Sequence, residues 1–183
     1  MIESFEQVKL ILDDGTKKEK IQSIEKLTDH KDPKIIQLII SKLDDEDIEV
    51  RGEAFSSLVL NENKISEQLI KNLDSEKRYV RGFSALILAN RKDVEGISEI
   101  IKLTEDESSL VRSCALGALG YLKANEASKA IHSCFSDSNL EVKKSALKAA
   151  IDLGDKLNHL DYEKFAEEKD EELEKLLILA KQN

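Results

Sequence analysis

A short phrase recurs along the chain at an almost constant interval. A Val followed by a cation stands at Val50-Arg51, Val80-Arg81, Val111-Arg112 and Val142-Lys143, and the Val positions are 30, 31 and 31 residues apart. Small or apolar residues follow these Val positions by four and eight, which places them on one face of a helix. A period of this length is typical of stacked-repeat proteins. The spacing therefore predicts a chain of helical repeats.

Each repeat is expected to contain two helices, A and B. The A helices begin with the phrase and are predicted near Lys17–Thr28, Ile48–Leu60, Arg78–Ala89, Ser108–Leu122, Leu140–Leu153 and Glu171–Lys181. The B helices are predicted at Pro33–Leu43, Lys64–Leu73, Asp93–Leu103 and Asn125–Phe135, with partial copies at Ile2–Leu12 and Asp161–Ala166. This pattern predicts an all-α, right-handed α-solenoid of about five antiparallel helix pairs with a half-pair at each end.

The periodicity also predicts one continuous domain over residues 1–183. It divides into an N-terminal cap helix (1–16), repeats at 17–43, 44–73, 74–103, 104–135 and 136–166, and an acidic C-terminal cap helix (167–183). Solenoids need polar terminal caps, which explains the acidic residues of the last segment. The apolar run Leu176–Leu179 is expected to pack its inner side on the preceding repeat.

Composition narrows the class of partner. The chain carries a net charge of −9 and no Trp, so a polyanionic partner is disfavoured and no nucleic acid is expected. No stretch of 18 apolar residues is present, and the start lacks a secretory pattern, so we expect no membrane contact and a cytoplasmic location. Cys114 and Cys134 match no metal or redox spacing. A monomer is slightly favoured over an oligomer.

The repeat unit resembles the HEAT-like repeats of the phycobilisome-lyase type. The resemblance rests on Leu43-Asp44-Asp45 through Val50-Arg51-x-x-Ala54-x-x-x-Leu58, and on Glu105-Asp106 through Val111-Arg112-x-x-Ala115-x-x-x-Leu119-Gly120. It implies the solenoid fold and a binding task that the repeat type leaves open. It also raises an alternative function, a bilin lyase or related chromophore-handling subunit. A HEAT-like DNA-repair glycosylase is a third reading, disfavoured by the missing Trp and the negative charge.

A cation and an acid recur together in the repeats. The cations are Lys20, Arg51, Arg81, Arg112 and Lys143, and an acid precedes the phrase by five residues at Asp14, Asp45, Asp106, Asp137 and Glu168, with Ser75 as the exception. A cation in the first turn of a helix opposes the helix dipole and needs a compensating partner. We therefore interpret the set as a structural ladder between neighbouring repeats; a phosphate-binding ladder is the alternative.

No catalytic arrangement is visible, so we expect no enzymatic activity, no cofactor and no metal site. The three His residues form no His-Glu dyad, and His132 occupies a position where other repeats have Ile, which predicts a packed core side chain. Cys114 lies near Arg112, so an activated thiolate is an open alternative to a small filler residue.

Two surfaces are candidates for binding. The outward side of the B helices, expected to line the concave face, carries Lys34, Lys64, Gln68, Lys71, Ser98 and Ile101. The outer side of the A helices carries an alternative apolar patch, Phe83, Leu86 and Tyr121. We predict a non-enzymatic protein-interaction scaffold that binds a protein or peptide on the concave face, where an acidic peptide would favour the lysine end. An ordinary solvated face is the alternative.

Overall fold

The computed structural model describes residues 4–182, and every regular element within that range is helical. The α-helices are α1 (Phe5–Asp14), α2 (Lys17–Lys26), α3 (Pro33–Ser41), α4 (Ile48–Leu60), α5 (Ser66–Lys71), α6 (Arg78–Asn90), α7 (Ile97–Lys102), α8 (Ser109–Tyr121), α9 (Ser128–Ser133), α10 (Leu140–Leu153), α11 (His159–Glu163) and α12 (Glu171–Ala180). The prediction of an all-α chain of helical repeats is confirmed. The A helices are the even-numbered helices, and the predicted bounds of α4 and α10 match. The predicted start of the first helix at Ile2 lies outside the described residues.

The B helices are shorter than the sequence suggests. Each of the four internal ones ends in a 3₁₀ turn, at Lys42–Asp44, Asn72–Asp74, Leu103–Glu105 and Cys134–Ser136. In each turn, a backbone N–H reaches the carbonyl three residues back, as from Asp45 to Lys42 at 3.1 Å and from Asp137 to Cys134 at 3.1 Å. The apolar residue expected at each B terminus, such as Leu43 or Phe135, therefore lies in the tightened turn and is still buried.

Local chemistry fixes where several helices begin. The Asp32 carboxylate accepts the backbone N–H of Lys34 at 2.8 Å, and Pro33 fills the first helical position, where its missing N–H costs nothing. Asn139 caps α10 by accepting from the N–H groups of Glu141 and Val142. Gly154 ends the same helix with a left-handed φ of 77°, a conformation that favours glycine.

The chain divides into two compact units, Met1–Arg91 and Lys92–Asn183. The first unit holds α1 to α6 and the second holds α7 to α12. Whether the chain acts as the single domain expected from the sequence stays a prediction.

In the first unit, the core consists of aliphatic side chains spaced at helical intervals. Val50, Ala54 and Leu58 of α4 are buried, as the 0, +4 and +8 pattern predicts, and Ile36 and Ile40 of α3 are buried as well. Each large aliphatic side chain removed from water contributes about 1.5–3 kcal/mol. The same spacing that identifies the repeats therefore also supplies the driving force for their packing.

In the second unit, α8 and α10 approach each other closely. A Cβ atom on Gly120 would lie 2.9 Å from the Cα of Ala149, closer than packed atoms normally come. The small residues Ala115 and Ala146 are also fully buried on these two helices. Glycine and alanine therefore permit this backbone approach, and Gly120 has a clear packing role.

The last helix is held by two buried side chains and by an ion pair with α10. Leu173 and Ala180 are its buried side chains, whereas Ile178 and Leu179 are 58% and 50% exposed. Leu176 and Leu177 are half-buried and form the inner side of the run Leu176–Leu179, next to the buried Leu173 and Ala180. The Nζ of buried Lys144 lies 2.7 Å from Glu172 and ties α10 to α12.

Candidate functional site

The cations of the repeated phrase bond to acids one repeat further along the chain. In the first unit, Lys20 Nζ lies 2.9 Å from the Asp45 carboxylate. In the second unit, Arg112 donates from Nε and Nη2 to both oxygens of Asp137 at 2.7 and 2.9 Å, and Lys143 Nζ lies 2.7 Å from Glu168. A two-point contact of guanidinium and carboxylate is among the stronger protein hydrogen-bonded pairs. The contacting acid lies 25 residues after the cation and belongs to the next copy of the phrase.

The remaining members of the set are placed as follows. Asp14 is exposed at the end of α1 and makes no ion pair with a described residue. Arg81 is buried, and its Nη1 donates to the carbonyls of Ser75 and Glu76 at 2.8 and 3.1 Å. Asp106 accepts the N–H of Ser108 at 2.8 Å.

Asp45, Asp106 and Asp137 also support the turns before their own A helices. The carboxylates of Asp45 and Asp137 accept the backbone N–H two residues on, at 3.0 and 2.8 Å. Burial acts to raise the pKa of both carboxyls. Hydrogen bonds from Lys20 and Arg112, together with these N–H groups, outweigh burial and hold each pKa below the ordinary value of 3.8. The negative charge is therefore favoured in the folded protein.

Arg51 differs from Lys20, Arg112 and Lys143 in that it makes no ion pair with an acid among the described residues. Its Nη1 donates to the carbonyls of Asp45 and Glu46 at 2.7 and 3.1 Å, as the Nη1 of Arg112 does in its own repeat. At the position one repeat further, Ser75 replaces the acid, and its Oγ accepts only the N–H of Lys77 at 3.3 Å. The Nε and Nη2 atoms of Arg51 make no hydrogen bond with any residue in the range 4–182. Within the same range, Arg51 makes no ion pair.

Beside Arg51 lies an apolar groove between α4 and α6, which we call the α4–α6 groove. Its volume is about 520 Å³, and its lining comprises Ile48, Arg51, Gly52, Phe55, Ser56, Tyr79, Phe83 and Leu86. The rings contact one another: Phe55 and Phe83 pack edge to face at 6.2 Å between centroids, and Tyr79 and Phe83 lie 5.6 Å apart. The four aromatic or aliphatic residues from Phe55 to Leu86 are half-buried, and Ile48 is 72% exposed. The groove is thus preformed and open to a ligand.

Two guanidinium groups flank the tyrosine of this groove. The Cζ atoms of Arg51 and Arg78 each lie 5.0 Å from the centroid of the Tyr79 ring. Cations at this distance from an aromatic face are attracted by the ring's quadrupole. The arrangement gives the apolar groove a positively charged margin.

Gly52 lies exposed on the wall of the groove, inside α4. A Cβ atom built there would have no neighbouring atom within 4 Å. Glycine inside a helix costs about 0.5–1 kcal/mol relative to alanine, so such a residue normally has a packing or functional reason. Gly120 has its reason in Ala149, whereas the packing around Gly52 supplies none.

The structure groups only part of the predicted outer patch. Phe83 and Leu86 line the α4–α6 groove, whereas Tyr121 is exposed on α8 in the second unit. The sequence analysis missed Phe55 and Tyr79, which complete the groove. Their signal was available, because aromatic residues are scarce at 4% of the chain and these two fall close to a repeated Val.

The residues predicted for the concave face differ in exposure. Lys34, Lys64, Lys71 and Ser98 are exposed, whereas Gln68 and Ile101 are half-buried. Lys71 Nζ lies 2.8 Å from its helix neighbour Glu67. A feature not foreseen lies beside them: the side-chain amides of Gln37 and Asn72 exchange two hydrogen bonds, at 3.1 and 3.0 Å.

His132 is placed differently from a core residue. Its Nε2 lies 3.2 Å from Asp155 and its Nδ1 lies 3.6 Å from Asp161, while the ring packs on Phe135. The expectation of a simple core substitute for Ile is therefore wrong, because two carboxylates meet the imidazole at the edge of the core. Residues 4–182 contain no group of three or more His, Cys, Asp or Glu side chains arranged to hold a metal ion.

The two thiols are poor nucleophiles. Burial raises the pKa of Cys114 and of Cys134 to about 11, so both are protonated at neutral pH. Cys114 also lies in the second turn of α8 and not in the first. The structure thus favours the filler role over an activated thiolate.

These features define an all-α protein of stacked helical repeats, and sequence comparison identifies its family. The model for HEAT repeats matches residues 66–151, and that for a HEAT repeat associated with sister chromatid cohesion matches residues 23–51. The protein is a HEAT-like repeat protein. No curated protein sequence matches the chain.

Similar solved structures support this assignment at the level of the fold. One is the structure of the complex of CpcE and CpcF of phycocyanin lyase from Nostoc sp. PCC7120, with 18% sequence identity. The alignment covers 80% of this chain and 97% of the other chain, and the TM-score is 0.68. A designed armadillo repeat protein in complex with the peptide (KR)4 has 18% identity, with 98% and 99% covered and a TM-score of 0.54. Human deoxyhypusine hydroxylase has 14% identity, with 97% and 84% covered and a TM-score of 0.52.

No helix among residues 4–182 is both long enough and apolar enough to cross a lipid bilayer.

Proposed function

We propose that this protein is a non-catalytic scaffold that binds a segment of a partner protein in the α4–α6 groove. Repeat proteins of similar fold include the designed armadillo protein that holds the peptide (KR)4, which supports a peptide-binding role. Aromatic side chains such as Phe55, Tyr79 and Phe83 dominate the energetics of protein interfaces because they bury much area with little loss of conformational freedom. The groove offers three of them on one rigid pair of helices.

The observation that carries the proposal is Gly52. A Cβ atom at this position would have no neighbouring atom within 4 Å, and Gly52 forms part of the groove wall. Glycine therefore leaves room for a ligand at a cost in helix stability. A solvated surface without a ligand gives no reason for that cost.

The test is a selection of short peptides from a random display library on the full-length protein. Selected peptides that contain Trp are then titrated by fluorescence, because the protein itself has no Trp. Gly52→Gln should weaken binding by about tenfold or more while leaving the melting temperature unchanged or higher, since it fills the groove and removes a helix-interior glycine. Amide chemical shifts of the labelled protein should change most around Gly52, Phe55 and Phe83.

Two control variants separate the candidate surfaces. Tyr121→Ser removes an exposed aromatic residue outside the groove and should leave the affinity unchanged. A triple Lys64→Ala, Lys71→Ala, Ile101→Ala variant alters the B-helix residues first expected to bind. If the triple variant loses the peptides while Gly52→Gln retains them, the B-helix face is the binding surface and the groove assignment is wrong.

A second candidate function is chromophore handling, and the fold similarity to CpcE favours it. The same aromatic groove would then receive a flat conjugated ligand. Co-expression with a bilin pathway tests this directly, since a protein that handles the chromophore should be purified with visible absorbance. Colourless protein together with peptide binding would decide for the scaffold.

A further inference from the structure

The repeats provide an internal standard for what Arg51 lacks. Arg112 has the same Nη1 contacts to two backbone carbonyls of its own repeat, and its Nε and Nη2 bond to the carboxylate of Asp137. Arg51 has the carbonyl contacts, but the next copy of the phrase has Ser75 at the position where the copies after Lys20 and Arg112 have Asp45 and Asp137. The chain therefore builds a carboxylate-binding guanidinium at Arg51 and supplies no carboxylate for it within the described residues.

Ser75 keeps one of the two tasks that the acids perform. Its Oγ accepts the N–H of Lys77, so the turn before α6 retains its side-chain support. The serine has no charge and cannot balance the arginine. The substitution is thus selective, because the turn is maintained and the ion pair alone is absent.

Arg51 is also part of the α4–α6 groove. It lines the groove beside Gly52 and lies over Tyr79, with Arg78 on the same ring. A ligand seated against Phe55 and Phe83 therefore meets a positively charged margin. Charge complementarity at this margin favours an anionic group on the ligand.

We propose that the partner segment carries an Asp or Glu side chain next to a large apolar residue, and that its carboxylate occupies the place at Arg51 that Ser75 leaves without an acid. This inference rests on the proposed function of the groove and specifies its ligand. The apolar residue enters the groove, and the carboxylate accepts hydrogen bonds from Nε and Nη2 of Arg51. Ser75 then determines specificity, because an acid at position 75 would compete for the same donors.

The experiment uses two matched pools of synthetic peptides. Each peptide contains Leu and Trp on either side of a central residue, which is Asp in one pool and Asn in the other, with uncharged small residues elsewhere. Trp fluorescence anisotropy reports binding to the full-length protein. The Asp pool should bind the unmodified protein on the order of tenfold more tightly than the Asn pool, as expected for a charge-assisted contact.

Three variants assign the preference to its source. Ser75→Asp and Arg51→Gln should each abolish the preference for Asp, so that the two pools bind a given variant with equal affinity. Ser75→Asn, which has nearly the shape of Asp without the charge, should keep the preference. Ser4→Asp, at the N-cap of α1, adds the same charge outside the groove and should also keep it.

The outcomes separate this inference from the function on which it rests. Equal binding of both pools, blocked by Gly52→Gln, would overturn the carboxylate proposal and leave the groove as a peptide site. A preference for Asp that persists in both Ser75→Asp and Arg51→Gln would overturn it as well. If neither pool binds, the groove is rejected as a peptide site and, with it, the carboxylate proposal.

Discussion

The helix pairs α4–α6 and α8–α10 start from the same repeated phrase but arrive at different surfaces. Between α8 and α10, Gly120 meets Ala149 and Arg112 holds Asp137 through two hydrogen bonds. Between α4 and α6, a Cβ atom on Gly52 would have no neighbour within 4 Å, and Arg51 lines a groove with a cluster of rings. In the pair α8–α10, Gly120 and Arg112 take part in a packed interface. In the pair α4–α6, Gly52 and Arg51 line an open groove. The difference teaches that an open surface arises where a copy departs from the repeated pattern, and this is the surface at which we propose that the ligand binds.

The largest expected effect comes from removing the acid of the closed pair. Asp137→Ala should lower the free energy of unfolding by about 3 kcal/mol, because it leaves Arg112 half-buried without its partner and removes the turn support at Asn139. Ser75→Ala should cost less than about 1 kcal/mol, since only a neutral cap is lost. Denaturant unfolding measures both. Similar losses for the two variants would show that the two pairs do not differ as described.

Lowering the pH should remove the contribution of the Asp137 charge to the free energy of unfolding. This loss should be no larger than the loss caused by Asp137→Ala. The pKa of Asp137 lies below the ordinary 3.8 when folded, so the unfolded chain binds more protons as the pH falls. The stabilisation is therefore complete above the ordinary pKa and is lost as the pH falls through the lower folded value. Stability curves from neutral to acidic pH should be flatter for Asp137→Asn than for the unmodified protein, and parallel curves would contradict the assignment.

Alanine at the two glycines should change stability in opposite directions. Gly120→Ala should destabilise the protein by about 1.5 kcal/mol, because its Cβ would press on the backbone of α10. Gly52→Ala should stabilise it by about 0.7 kcal/mol, because the added methyl group meets no atom and the helix gains propensity. Thermal and denaturant unfolding provide the comparison. A loss of stability in Gly52→Ala would mean that this glycine has a packing role after all.

The smallest effect is expected from closing the open pair. Ser75→Asp should raise the free energy of unfolding by about 0.5 kcal/mol, since it adds an ion pair with the half-buried Arg51 at the margin of a solvent-filled groove. The gain should disappear in the Arg51→Gln background, which a double-mutant cycle measures. An equal gain in that background would show that the new Asp acts only as a better turn residue than Ser75.

The fold could be predicted from the sequence because the pattern that defines it is local and recurs in each repeat. The interval between Val50, Val80, Val111 and Val142 and the spacing of small residues after them are enough to define helices and their buried faces. The 3₁₀ turns at the ends of the B helices were not predicted. A 3₁₀ turn differs from an α-helical turn in that its backbone hydrogen bond spans three residues and not four, and this leaves the spacing of the apolar residues unchanged. Lys144 escaped as well, since a buried lysine is recognised only once Glu172 is seen beside it.

The candidate site was predictable in part. The sequence predicts that function should be sought where the copies differ, and it singles out Phe83 and Leu86, which line the α4–α6 groove. It cannot show that Phe55 and Tyr79 meet them, because their contact depends on how α4 lies against α6. Nor can the sequence show that Tyr121 lies outside the groove. Tyr121 follows Val111 by ten residues, as Leu60 follows Val50, so its position in the repeat is ordinary.

The sequence by itself determined that this protein is a series of paired helices, because a period of about 31 residues with small residues at fixed offsets admits little else. The tertiary structure alone decided which charges meet. The sequence suggested a ladder of cations and acids between neighbouring repeats, and the packed helices show that Lys20, Arg112 and Lys143 each bond to the acid one repeat further on. The physical reason is that stacking brings the end of one repeat against the turn of the next. The absence of an acid for Arg51 therefore becomes visible only once the helices are packed.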